Sequence, residues 1–137
     1  MSIVQTQTTS FKVELYQGVH NFTSDVFKIA LYTGNASLNE STTQYTSARE
    51  VVGSGYSAGG VVLTGATINA SGSVAYVNFN NVNFNAAVTA RCALIYNTSK
   101  ANKSVAVLDF GSDKSSSSFA ITMPANTATT ALIRSSN

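Results

Sequence analysis

Charge, proline, cysteine and tryptophan are all scarce in this chain of 137 residues. Lys plus Arg number eight and Asp plus Glu six, so charged residues make up 10% of the sequence, against about 25% in an ordinary domain. A net charge of +2, scattered along the chain, is too weak a field to mark a nucleic-acid binder. The single cysteine, Cys92, excludes an intramolecular disulfide, and a reactive thiol would have only His20 for a base. Cys92 is therefore expected as a small core residue in a strand. No run reaches the ~18 apolar residues of a membrane span. The opening MSIVQTQTTS lacks the basic and apolar regions of a signal peptide. These absences point to a protein made and kept in a cytoplasm, or assembled there into something larger.

Hydroxyl and amide side chains are plentiful instead. Ser, Thr and Asn supply 48 of the 137 residues, and solubility has to come from them. Six Asn-x-Ser/Thr sequons, at Asn21, Asn35, Asn39, Asn69, Asn97 and Asn102, follow by chance from such a composition, and no glycosylation is expected. The length suits one domain, large enough to bury a core without staples.

Strand signals dominate. Cys92 to Tyr96 and 105–110 are apolar runs of β-formers around the polar connection NTSKANK, which reads as a β-hairpin. Residues 11–16 alternate Phe11, Val13 and Leu15 with polar neighbours, predicting a half-buried strand. Residues 25–33 are apolar on both faces and suit a central strand. Runs at 61–69 and 73–80 around Ala70-Ser71-Gly72 predict a second hairpin. Further strands are expected at 118–123 and 129–134, with Pro124 between them, and short ones near Tyr45 and at 50–52. The serines at 115–118 read as a flexible hairpin tip, 79–85 as a connection, and 1–10 as an arm that orders only against a partner. The fold expected is all-β: an antiparallel β-sandwich or jelly roll of about eight strands over 11–137, with no good helix.

Catalytic constellations are hard to find. Asp109 and Asp113 flank Gly111 but lack the ladder of acids of a calcium loop, and a solvated turn is expected there. His20 has no second histidine to share a metal and reads as a polar loop residue. GSGYSAGG at 53–60 is not a G-x-S-x-G elbow; its glycines suit a tight irregular loop. No enzyme activity and no cofactor are expected. Residues 34–60 form a long irregular stretch, and loops of this length are usually functional or packed on a partner.

Four segments carry a resemblance: VFKIALYTGNASL (26–38), REVVGSGYSAGG (49–60), ARCALIYNTSKANKSVAVLDFGSDK (90–114) and MPANTATTALIR (123–134). Together they resemble a family of small tailed-bacteriophage virion proteins of the capsid decoration, or cement, type. The resemblance implies a sandwich or jelly-roll fold on the capsid exterior, made in the bacterial host cytoplasm, with the major capsid protein as partner. It also implies self-association as a dimer or trimer on lattice axes, and no nucleic-acid or membrane partner. Candidate partner contacts are Ile3 and Val4 in the arm, Tyr45 and Tyr56 in the long loop, and Lys100 and Lys103 in the hairpin turn. The rival expectation is a tail or fibre component that recognises host glycans through the 34–60 loop and its tyrosines.

Overall fold

A computed structural model, describing residues 3–135, places ten strands, one α-helix and a single 3-10 turn (Thr98–Lys100) along the chain. They are β1 (Thr6–Gln7), α1 (Thr9–Tyr16), β2 (Phe27–Tyr32), β3 (Val61–Val62), β4 (Thr67–Ser71), β5 (Val74–Asn78), β6 (Val82–Asn83), β7 (Val88–Asn97), β8 (Lys103–Ser116), β9 (Ala120–Ile121) and β10 (Ile133–Ser135). A five-stranded sheet runs in the order β1-β8-β7-β2-β3. A three-stranded sheet, β10-β5-β4, and a pair, β6-β9, complete the set. Every pairing between named strands is antiparallel.

The β7-β8 hairpin is the backbone of the large sheet. Residues 92–97 of β7 are all buried, on both faces, which fits a strand flanked by β8 and β2. Successive side chains alternate between two apolar layers. Phe27, Ile29, Leu31, Ala93, Ile95 and Val105 face the larger core, shared with Phe11 of the helix and with Phe79, Phe84, Phe119 and Ile133. Ala30, Tyr32, Cys92, Leu94, Tyr96 and Val107 face a second core roofed by Ala36, Leu38 and Tyr45. The irregular stretch 34–50 is thus the cover of one sheet face. Its apolar residues are few but well spent.

Residues 11–16 form a helix rather than the expected strand. Thr8 is its N-cap, accepting from the Phe11 N–H at 3.3 Å. Gly18 ends it at φ +72°, with the paired bonds Gly18 N–H to Leu15 C=O (3.1 Å) and Val19 N–H to Glu14 C=O (3.0 Å) that define a Schellman stop. Only Phe11 is buried on this helix, so the alternation of Val13 and Leu15 reflects no buried strand face.

Other boundaries also moved. The run 61–69 divides between two sheets, β3 and β4, turning where the Thr64 carbonyl accepts the Asn80 N–H (2.9 Å). The hairpin expected there is β4-β5 alone. The connection 79–85 contains β6. Ser115 and Ser116 are not a free tip: they pair with Thr89 and Val88 as the end of β8. Residues 3–10, expected as an arm, lie on the domain itself. Val4 N–H donates to Leu38 C=O at 3.0 Å and Thr6 pairs with Val107. Residues 1 and 2 lie outside the described residues.

Candidate interaction surface

Glu50 organises the long loop. Its Oε1 accepts the Tyr45 hydroxyl and its Oε2 the Tyr56 hydroxyl, each at 2.5 Å, and Oε2 also accepts the Gly59 N–H at 2.7 Å. Tyr56 in turn accepts the Leu31 N–H of β2 (2.9 Å), and Tyr96 of β7 donates to the Gly59 carbonyl (2.5 Å). Tyr45 stacks on Tyr96 with ring centroids 4.8 Å apart, and Tyr32 donates to the Thr46 carbonyl (2.6 Å). One carboxylate and four phenols therefore latch both ends of the loop to the sheet. Burial, reinforced by the Glu50 charge, pushes the hydroxyls of Tyr32, Tyr45 and Tyr56 well above the ordinary tyrosine range, and that of Tyr96 to about 12. Gly60 completes the latch at φ +80°; a Cβ there would lie 1.8 Å from the Ile29 carbonyl oxygen.

A second polar chain ties the loop after α1 to the hairpin. The Asn97 side-chain oxygen accepts the Ser99 N–H (3.0 Å), which leaves its amide nitrogen to donate to His20 Nδ1 (3.0 Å) and to Asp25 Oδ2 (2.8 Å). His20 consequently carries its proton on Nε2 and donates it to Glu14 at 2.8 Å. Lys100 reaches both Asp25 oxygens, at 2.9 and 3.1 Å. Burial raises the Asp25 carboxyl, but hydrogen bonds from Asn97, Lys100 and the Asn21 N–H outweigh it and hold the group at about 2. His20, expected as a polar loop residue, is buried, packed against Phe11 and central to this chain. A histidine flanked by an acid and an amide, with no hydroxyl or thiol in its hydrogen-bonding shell, has been given a structural job.

The six residues chosen as partner contacts do not meet in one place. Tyr45 and Tyr56 come together, but around Glu50 with their hydroxyls turned inward. Lys100 is held by Asp25, and Lys103 pairs with Asn97 inside the sheet and bridges to Gln44. Ile3 bridges to Leu38 and packs on the second core. Val4 is 41% exposed. Arg91 and Asp109 pair at 2.9 Å, and Asp109, hydrogen-bonded by Arg91 and by the Gly111 N–H, is held below the usual carboxylate range. Cys92 sits in the second core, where burial and the neighbouring Asp109 push its thiol up to about 12. That is an inert position.

What faces solvent is largely neutral. An open recess of about 630 Å³ is lined by Thr33, Val51, Val52, Ala87, Ser115 and neighbours, none of them titratable. All five residues of β4 are exposed, as are Val52, Val62 and Ile68. The absence of charge here has a signal in the sequence, because residues 51–90 contain no Asp, Glu, Lys or Arg. Among the described residues no group of three or more His, Cys, Asp or Glu side chains is placed to hold a metal ion, and no helix is long and apolar enough to cross a membrane. Comparison with known protein families, with curated proteins and with solved structures gave no match.

Proposed function

We propose that this chain is a structural virion protein that binds the outer surface of a tailed-phage capsid and stabilises contacts between major capsid proteins. The observation that carries the reading is how the titratable groups are used. Asp25 with Lys100 and Arg91 with Asp109 neutralise one another, Glu14 accepts a hydrogen bond from His20, and Glu50 is committed to the loop latch. These groups serve internal contacts. The exposed charges Lys12, Glu40, Arg49, Asp113, Lys114 and Arg134 lie outside the 51–90 interval, and that interval presents neutral strands and hydroxyl-rich loops outward. Such a surface suits contact with a protein lattice better than turnover of a small substrate.

The architecture supporting this role is read as a two-layer antiparallel β-sandwich, with the five-stranded sheet as one layer and the small sheets as the other. A clamp has to be stiff, and the two networks pin the long loops to the strands. Modest affinity per copy is sufficient, because many copies on one shell sum their effect. The resemblance of 26–38, 49–60, 90–114 and 123–134 to cement-type proteins supports the head as the location. The decisive experiment compares phage particles with and without the protein. We expect stoichiometric copies, in the hundreds on the head, and shells that open at lower temperature when the protein is missing. Unchanged thermal stability of the depleted particle overturns the cementing role, and labelling confined to the tail assigns the protein there instead.

A further inference from the structure

Among the described residues β4 presents a five-residue edge that is free along its whole length; the outer edge of β8 beyond its short pairing with β1 is longer but carries Asp109, Asp113 and Lys114. It ends the three-stranded sheet, pairing with β5 on one side only, while the free edge strands β1 and β3 have two residues each. Its register with β5 runs from Thr67↔Asn78 to Ser71↔Val74 without a bulge. An exposed, regular edge offers a row of unpaired N–H and C=O groups, and monomeric proteins commonly blunt such edges with Lys, Pro, bulges or a covering loop. Among the described residues β4 has no Lys, Pro or bulge, and the only loop contact recorded on it is Asn126 donating to the Thr67 hydroxyl at 3.1 Å. The nearest charged residues in sequence are Glu50 and Arg91, the one proline is Pro124, and every β4 side chain is exposed.

The composition of the strand indicates what it pairs with. In an isologous antiparallel pair only the residue on the two-fold axis meets its own copy, but the two copies of any residue near the axis lie close together, so a charge there would sit beside a like charge. A segment of forty residues without charge, 51–90, meets that condition. The sequence Thr67-Ile68-Asn69-Ala70-Ser71 is also self-matching about its centre. With Asn69 opposite Asn69 of the second copy, Ile68 meets Ala70 on one face and Thr67 meets Ser71 on the other. Slipping by one residue sets Ile68 against Ser71 and loses both matches.

We propose that β4 pairs antiparallel with β4 of a second copy across a two-fold axis through Asn69, joining the two small sheets into one of six strands in the order β10-β5-β4-β4-β5-β10. This deepens the virion reading by naming the contact through which neighbouring copies couple. It is tested on the purified chain, so either can fail while the other stands. A five-residue ladder is small beside the ~1,200–2,000 Å² of a stable interface, so the dimer forms as concentration rises and is reinforced on a lattice.

The test is sedimentation of the full chain over a concentration series, joined to cysteine cross-linking. Residues facing each other across an antiparallel pair have Cα atoms ~4.5–5.5 Å apart, within disulfide reach, and native Cys92 is fully buried. We expect the wild-type mass to rise from 14.3 kDa toward twice that value. Mild oxidation should convert Asn69→Cys to a covalent dimer and leave Ser71→Cys, which faces Thr67, monomeric. Circular dichroism of both exposed-site variants checks that they are folded, and the wild-type sedimentation result does not depend on them. A chain that stays monomeric throughout overturns the proposal. So does a dimer in which Asn69→Cys cross-links no faster than Ser71→Cys, or a monomer whose β4 docks only on shell protein.

Discussion

Replacing Glu50 by Ala removes the acceptor shared by three donors: the Tyr45 and Tyr56 hydroxyls and the Gly59 N–H. A hydrogen bond to a charged group contributes about 1.5–3 kcal/mol. The three are coupled through one carboxylate, and the Tyr45 side of the site is half-open to water, which rehydrates part of what is lost. A net loss of about 3 kcal/mol is the reasonable figure. At roughly 2 cal/mol/K of unfolding entropy per residue, that lowers Tm by about 10 °C for a chain this long. Glu50→Gln keeps one carbonyl acceptor and should fall by less than half as much. Thermal unfolding followed by circular dichroism gives both shifts, and hydrogen exchange at Leu31 and Gly59 localises the cause, since these amides are bonded within the latch. A Glu50→Ala shift under about 2 °C, or faster exchange spread evenly over the sheet, would refute the idea that one carboxylate holds the loop.

Asn97→Ala should cost about 2–4 kcal/mol, because it strips donors from His20 and Asp25 and the acceptor from the Ser99 N–H; chemical denaturation measures it, and a cost below about 1 kcal/mol removes the network from the stability account. Asp25, held at about 2 against an ordinary 3.8, contributes stability that is complete above pH 3.8 and drains as pH falls toward 2. Asp25→Asn should therefore be less stable at neutral pH yet lose less between these limits, and acid titrations of the two proteins followed by fluorescence or circular dichroism should converge. Native Cys92 should ignore a water-soluble thiol reagent and react fully once the chain is unfolded; rapid labelling of the native protein would mean that the second core opens.

The strands of the large sheet were legible because burial on both faces leaves a nearly continuous apolar run, as at 27–32 and 92–96. The helix was not, because its apolar residues show a misleading alternation and only Phe11 is buried. Its punctuation was nevertheless present, in Thr8 before the first turn and Gly18 after the last. The split of 61–69 between two sheets depends on Asn80, a residue beyond the run itself. Glu50 and His20 illustrate the same limit at the site. Each acquires its role from partners brought together by the fold: Tyr45 and Tyr56 around one, Glu14 and Asn97 around the other. Single-sequence patterning carries no trace of such pairings. The uncharged interval 51–90, by contrast, was in plain view.

The seating of the N-terminal segment has a consequence for how the chain comes off the ribosome. Thr8 bonds through its hydroxyl to Ser104 (2.9 Å) and through its N–H to the Val105 carbonyl (3.0 Å), and Gln7 reaches the Arg134 carbonyl (3.0 Å). None of these partners exists until most of the polypeptide has been synthesised. Strand β1 therefore waits until the chain has emerged as far as Val107 and Arg134, whereas Phe11, fully buried at the end, has His20 and Phe22 beside it early. Domains assembled from distant segments are slow to close and prone to aggregate while they wait. The strand β1 is thus placed only after partners that lie far along the sequence.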